Sequence, residues 1–303
     1  MSDKAGVKNR SHRTAVLQAL FVTFLWSTSW VLVKIGLVDI PAITFAGLRY
    51  GLAFLCLLPF ALRRVHRASL RKLNRGDWLR LIILGLLFYA ITQGAIFLGL
   101  YYLSAATVTL MLNLTSIVVA ILGIVLLAEN PTKLQWVGVA LFITGSLIYF
   151  YPVDFPAGEI LGLAIIGVGV LANALSSILG RKINREAKIE PLLVTTVSMG
   201  AGALALIAAG FASQGLPPLE IKHWLIIAWL AVINTAFAFT LWNLTLRTLK
   251  AVESSVINNT MLIQTVVLAW IFLGESLTGM EVLGLLVAGS GALVVQLQKN
   301  RSP

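Results

Sequence analysis

Residues 111–145, MLNLTSIVVAILGIVLLAENPTKLQWVGVALFITG, have a counterpart at residues 257–291, INNTMLIQTVVLAWIFLGESLTGMEVLGLLVAGSG. Laid over each other without a gap, Asn113 meets Asn259, Glu129 meets Glu275, Thr132 meets Thr278, Gly138 meets Gly284 and Gly145 meets Gly291, all at an offset of 146 residues. Extended outward, the same offset aligns 78–151 with 224–297 and places Trp78 on Trp224. Matching leucines carry no weight in so apolar a chain. Trp, Asn and Glu are scarce here, and their coincidence at one fixed offset marks a duplicated unit.

Around this repeat the chain of 303 residues is 58% hydrophobic and 12% charged, which no water-facing domain of ordinary composition matches. Apolar runs of spanning or near-spanning length lie at 14–37, 43–62, 78–100, 104–127 and 134–151, then at 157–180, 191–212, 223–246, 251–273 and 280–297. The runs are continuously apolar, whereas barrel strands alternate, so helices are expected. The predicted fold is an all-α polytopic membrane protein of ten transmembrane helices. It comprises a cytoplasmic tail (1–13), a five-helix repeat (14–151), a second five-helix repeat (157–297) and a cytoplasmic tail (298–303). Five is odd, so the second copy enters the membrane upside down, as in secondary transporters built from inverted repeats.

A net charge of +11 would point to nucleic acid in a soluble chain. Here 20 of the 23 Lys and Arg residues fall in connections that share a side with the N-terminus, and Lys222 stands alone on the other. This asymmetry reports orientation, with both termini cytoplasmic and no nucleic-acid partner expected. The apolar run after Arg13 is too long for a cleaved signal peptide. Cys56, the single cysteine, reads as a small buried hydrophobe. No metal-ligand spacing, P-loop or HExxH pattern occurs, and His12, His66 and His223 lie in tails or connections, so no cofactor, metal, ATPase subunit or enzymatic activity is expected. A lone chain with inverted halves fits alternating access better than a channel. The expected partners are the lipid bilayer and a small-molecule substrate, with the chain a monomer or weak dimer.

The segments FLGESLT (Phe272 to Thr278), LLAENPT (Leu126 to Thr132) and WSTSWVLVK (Trp26 to Lys34), with Arg49 early in the second span, resemble the EamA-type transporters of the drug/metabolite transporter superfamily. The resemblance covers nearly the whole chain, with Ala128 standing where the second copy has Gly274. It implies ten helices from a duplicated five-helix unit in the inner membrane of a bacterium. It also implies efflux of small metabolites, amino acids including aromatic ones foremost, with nucleosides, nucleotide sugars, organophosphates or drugs as alternatives.

Asn113 and Asn259 each lie roughly 12–14 Å into a span, near the midplane, where a substrate site of a repeat-built transporter is expected. The alternative is interhelical hydrogen bonding. Asn258 beside Asn259 points to a lined cavity, and Trp26, Trp30, Tyr89, Gln93, Asn173, Asn234, Trp242 and Asn243 are the other candidates. Trp26 and Trp30 share a helix face, as do Tyr89 and Gln93. Aromatic faces beside amides suit an amphipathic metabolite. Lys34 and Arg49, near the outer ends of the first two spans, are candidates for gating or for recognising a carboxylate or phosphate. For both, snorkelling to the outer interface or pairing with Asp39 is the alternative. Glu129 and Glu275, just past the ends of spans, read as caps of the helix that follows each.

Overall fold

The structure is a computed structural model, and it describes residues 12–127, 132–151, 156–186, 188–245, 248–249 and 251–298. Its helices are α1 (His12–Gly36), α2 (Ala42–Ala61), α3 (Arg64–Arg71), α4 (Arg75–Gly85), α5 (Gln93–Tyr102), α6 (Ala105–Leu127) and α7 (Lys133–Tyr149). There follow α8 (Ala157–Arg185), α9 (Pro191–Ser213), α10 (Ile221–Ala231), α11 (Ala238–Thr245), α12 (Ala251–Leu273) and α13 (Gly279–Gln298). A π-helical segment, Leu86–Thr92, joins α4 to α5, and another, Val232–Phe237, joins α10 to α11. Among the described residues there is no strand. Five helices are long and apolar enough to cross a membrane: His12–Gly36, Ala42–Ala61, Arg75–Tyr102, Ala157–Asn184 and Pro191–Ser213. Shorter apolar helices accompany them at Ala105–Val119, Lys133–Tyr149, Ile221–Phe237, Ile257–Leu273 and Gly279–Val295.

Several element boundaries recur at the 146-residue offset. Shifting α4 by 146 residues gives the bounds of α10, and shifting α6 gives those of α12. The two π-helical segments start at the same relative position, Leu86 and Val232. Helix starts are set by local capping. Asn74 and Asp77 form a capping box at α4, Thr132 and Gln135 at α7, and Thr278 exchanges hydrogen bonds with Glu281 at the start of α13. Beyond the end of α12, Gly274 adopts φ of +67°, and the Glu275 N–H closes back on the Ala269 carbonyl at 3.3 Å. A Cβ would disfavour that left-handed turn.

The halves interleave. Helix α1 packs on α11 and α12, while α8 packs on α5 and α6, so each leading helix leaves its own half for the other. Two pairs join equivalent helices, α2 with α9 and α7 with α13. In the second pair Gly138 lies against Gly291 and Gly145 against Gly284, which makes α7 and α13 antiparallel. Backbone contact there is so close that a Cβ on Gly145 would stand 2.2 Å from the Ala288 nitrogen. A cluster of Leu110, Ile117, Phe142, Tyr149, Leu262 and Ala288 fills the layer of α6, α7, α12 and α13. A larger core includes Phe45, Tyr50, Phe97, Leu100, Ile166 and Met199, and smaller clusters form around Leu81 and Leu193, around Ala19 and Leu249, and around Val22 and Ala238.

The exterior is apolar: Leu147 is 66% exposed, Leu204 68% and Trp270 63%. In water so much exposed apolar surface would be a liability; against lipid it is the expected covering. At one end of the bundle the Asp39 carboxylate accepts from His223 Nε2 at 2.9 Å and pairs with Lys222 at 3.4 Å. The hydrogen bonds from His223 and Lys222 hold its pKa below the usual carboxylate range. At the other end Lys188 pairs with Asp77 at 2.6 Å, so each loop between the first two helices of a half is tied by an ion pair to the helix that starts beside it in the opposite half.

Candidate functional site

A cavity of about 350 Å³ opens at the centre of the helices. Helix α1 supplies Trp26, Trp30 and Val33, spaced four and three residues apart and therefore on one face. Helix α6 supplies Thr109, Leu112 and Asn113, and α12 supplies Asn258, Asn259, Met261 and Leu262. Arg49 and Tyr50 enter from α2 and Asn173 from α8. Helix α5 adds Ile96, Phe97 and Leu100, and the π-helical segments and the residues just after them supply Phe88, Gln93, Asn234 and Phe239. An extra residue per turn rotates the following side chains relative to a regular helix, a feature often found at functional sites. A threonine hydroxyl closes each: Thr92 Oγ1 donates to the Leu87 carbonyl and Thr235 Oγ1 to the Leu230 carbonyl, both at 2.8 Å.

The repeat organises this wall. Positions 88 and 234, 93 and 239, 112 and 258, and 113 and 259 are paired by the 146-residue offset, and all eight line the cavity. The chemistry differs within three of the pairs: Phe88 answers Asn234, Phe239 answers Gln93, and Leu112 answers Asn258. The cavity therefore has polar groups at one position of each of these pairs and aromatic or aliphatic ones at the other.

Hydrogen bonding fixes several of these amides. Asn113 Nδ2 donates to the Thr109 carbonyl at 2.9 Å and Asn173 Nδ2 to Thr115 Oγ1 at 3.2 Å. Asn234 Nδ2 donates to the Leu25 carbonyl and, at 3.2 Å, to Thr28 Oγ1. Two cavity residues retain a buried polar atom with no hydrogen-bond partner among the described residues, Asn234 Oδ1 and Trp26 Nε1. Unpartnered buried atoms are rare in folded proteins.

Of the residues selected from the sequence, Trp26, Trp30, Gln93, Asn113, Asn173, Asn234, Asn258 and Asn259 come together here, with Arg49. Tyr89 and Trp242 do not line the cavity. Tyr89 stands behind Tyr50, ring centroids 5.5 Å apart, and Trp242 supports Trp26 at 5.3 Å. The side chain of Asn243 and all of Glu129 and Ala128 lie outside the described residues.

Lys34 is also absent from the lining, and its partner is not Asp39. It pairs with Glu275 at 3.5 Å and donates to the Leu103 carbonyl. Glu275 does act as a cap, but of a different helix from the one expected. Its carboxylate accepts the Ala105 N–H at 3.0 and 3.1 Å, at the start of α6, while Thr278 and Glu281 cap the α13 that follows it. The turn at Gly274 aims Glu275 back across the bundle, which sequence proximity could not reveal.

Sequence reasoning missed Tyr50, Phe88, Phe97, Thr109 and Phe239, all at the wall. At 58% hydrophobic content a phenylalanine inside a span does not stand out. The offset would have found two of them, since it maps Gln93 onto Phe239 and Asn234 onto Phe88. A second cavity of about 610 Å³, near Tyr149, Thr278 and Glu281, is larger but lies away from the central amides. Among the described residues no three His, Cys, Asp or Glu side chains gather where they could hold a metal.

The EamA-like transporter family matches the chain twice, over residues 13–151 and 160–297. An uncharacterized transporter of Archaeoglobus fulgidus is 24% identical over 296 residues, covering 95% of this chain and 99% of that one. The uncharacterized inner membrane transporter YedA of Escherichia coli is 24% identical over 288 residues, 94% of this chain and 92% of its own. A probable amino-acid metabolite efflux pump of Salmonella typhimurium is 23% identical over 286 residues, 91% and 92% of the two chains. One solved crystal structure shares the fold with a TM-score of 0.67 at 16% identity, covering 95% of this chain and 99% of the other.

Proposed function

This chain belongs to the EamA-like transporter family, and from that premise we propose that it is a secondary transporter exporting small metabolites, amino acids including aromatic ones, by alternating access across an inner membrane. In this reading ten helices cross the bilayer as two inverted halves, residues 14–151 and 157–297, with both termini cytoplasmic. The single observation that carries it is the central cavity, walled by repeat-related positions from both halves. A site on the pseudo-two-fold axis can be opened to either side by the two halves exchanging conformations. The antiparallel α7–α13 contact and the interleaving of α1 and α8 supply the corresponding symmetry. Amides, tryptophans and one guanidinium in a volume of about 350 Å³ suit an amphipathic molecule of amino-acid size. The Salmonella relative named as a probable amino-acid metabolite efflux pump agrees with this substrate class.

Counterflow in proteoliposomes tests it. Preloaded L-tryptophan or L-phenylalanine is expected to drive uptake of the labelled amino acid, without ATP and in the absence of any other protein. Transport of a nucleoside or a phosphate ester with no counterflow of any amino acid would replace the substrate class. Asn113→Ala and Asn259→Ala are each expected to lower the initial counterflow rate by roughly tenfold, the effect of losing one well-placed hydrogen bond to substrate. Unchanged rates with lowered melting temperatures would instead make both amides interhelical ties.

A further inference from the structure

Arg49 is the only charged residue among the described ones that line the central cavity, and it is 7% exposed. A guanidinium carries five N–H donors. Its Nε and Nη2 reach one acceptor, Thr235 Oγ1, both at a long 3.4 Å. That hydroxyl gives its own proton to the Leu230 carbonyl, so its lone pairs face the guanidinium. The rings of Tyr50 and Phe97 lie 5.2 and 5.9 Å from the guanidinium carbon, which favours a cation there but accepts no conventional hydrogen bond. Among the described residues no carboxylate lies within ion-pair distance; Asp39, Asp77, Glu186, Glu190 and Glu275 each pair with another basic residue. The contrast with Lys34 is direct, since Glu275 answers that charge.

A buried cation without a counter-charge is costly, and one at a cavity wall can regain its balance from a ligand. We propose that Arg49 is the receptor for an anionic group on the transported molecule and that this group is a carboxylate, gripped by the guanidinium fork. The inference rests on the transporter reading of the cavity and narrows its substrates to metabolites that present an accessible carboxylate. Planar bidentate geometry distinguishes Arg from Lys at such a site. The aromatic faces of Tyr50 and Phe97 hold the fork in place while leaving its N–H groups for the ligand.

The test is a thermal-shift titration of the purified full chain in detergent with L-tryptophan, indole-3-propionate, which keeps the carboxylate and lacks the ammonium, tryptamine, which does the reverse, and glycerol 3-phosphate. Both carboxylates are expected to stabilise the wild type by mass action, with tryptamine inert. Arg49→Gln is expected to weaken both carboxylates on the order of 100-fold, with Arg49→Lys intermediate because it keeps the charge and loses the fork. The wild-type ligand series decides the charge question even if Arg49→Gln fails to fold. Stabilisation by tryptamine equal to that by tryptophan, or full tryptophan affinity in Arg49→Gln, overturns the receptor while leaving amino-acid transport standing. Arg49-dependent binding of glycerol 3-phosphate with no response to either carboxylate keeps an anion receptor, replaces the carboxylate, and removes the amino-acid reading.

Discussion

Replacing Gly145 with valine is expected to leave little folded protein. A Cβ built there meets the Ala288 nitrogen at 2.2 Å, the Gly284 carbonyl oxygen at 2.7 Å and Ala288 Cα at 2.8 Å. All three are backbone or Cα atoms, so no side chain can swing aside, and α7 and α13 must separate. Between transmembrane helices the driving force is close packing itself, since lipid tails are as apolar as leucine. Overpacking a core costs about 1–3 kcal/mol even where side chains can adjust. Here the upper end or beyond is expected. Gly167→Ala is the matched control: its Cβ meets nothing within 4 Å, and alanine is the better helix former. Size-exclusion profiles and melting temperatures in detergent would show Gly145→Val aggregated or melting far below wild type and Gly167→Ala at or slightly above it. Equal melting of the two variants would mean that the α7–α13 contact is looser than described.

Glu275→Ala should have the second large effect, because one carboxylate ties three elements. It answers Lys34 on α1, caps α6 at Ala105, and is itself set on the turn between α12 and α13. Breaking a buried pair by removing one partner costs about 3–5 kcal/mol. Side-chain exposures of 27% for Lys34 and 16% for Glu275 place this pair toward the lower end. Losing the cap adds roughly 1 kcal/mol. The double variant Lys34→Met with Glu275→Ala is expected to recover part of the loss, since no charge is then left alone. Lys34 follows the cavity-lining Val33, and in the proposed topology its pair with Glu275 lies at the outer end of α1, so Glu275→Ala is expected also to raise labelling by a membrane-impermeant thiol reagent at Val33→Cys in a Cys56→Ala background. Additive losses in the double variant, with unchanged labelling, would reduce the ion pair to an incidental contact.

The residues most legible in the sequence are those whose chemistry is scarce against an apolar background. Asn113, Asn259, Trp26 and Trp30 stood out because polar and indole groups are expensive or uncommon inside a span, and all four line the cavity. Thr132 and Thr278 matched across the repeat, and both prove to be helix N-caps. The position of Glu275 just before α13 predicts a cap of that helix, whereas its carboxylate caps α6. Capping geometry depends on where a turn aims the side chain, and the positive φ of Gly274 sends it to α6. The π-helical segments had no signal, because an insertion of one residue into a uniformly apolar run changes no periodicity that composition can register.

Helicity, membrane character and the duplication were determined by the amino-acid sequence without its neighbours, because each rests on local quantities: mean apolarity, run length and the recurrence of rare residues at one offset. The interleaving of α1 and α8, the choice of Arg49 over Lys34 as the unanswered cation, and the meeting of Phe88 with Asn234 across one cavity were decided by tertiary packing. Those outcomes depend on which helix faces touch. In a chain whose faces are nearly all apolar, the helical period says which residues share a face and leaves open which partner that face will meet.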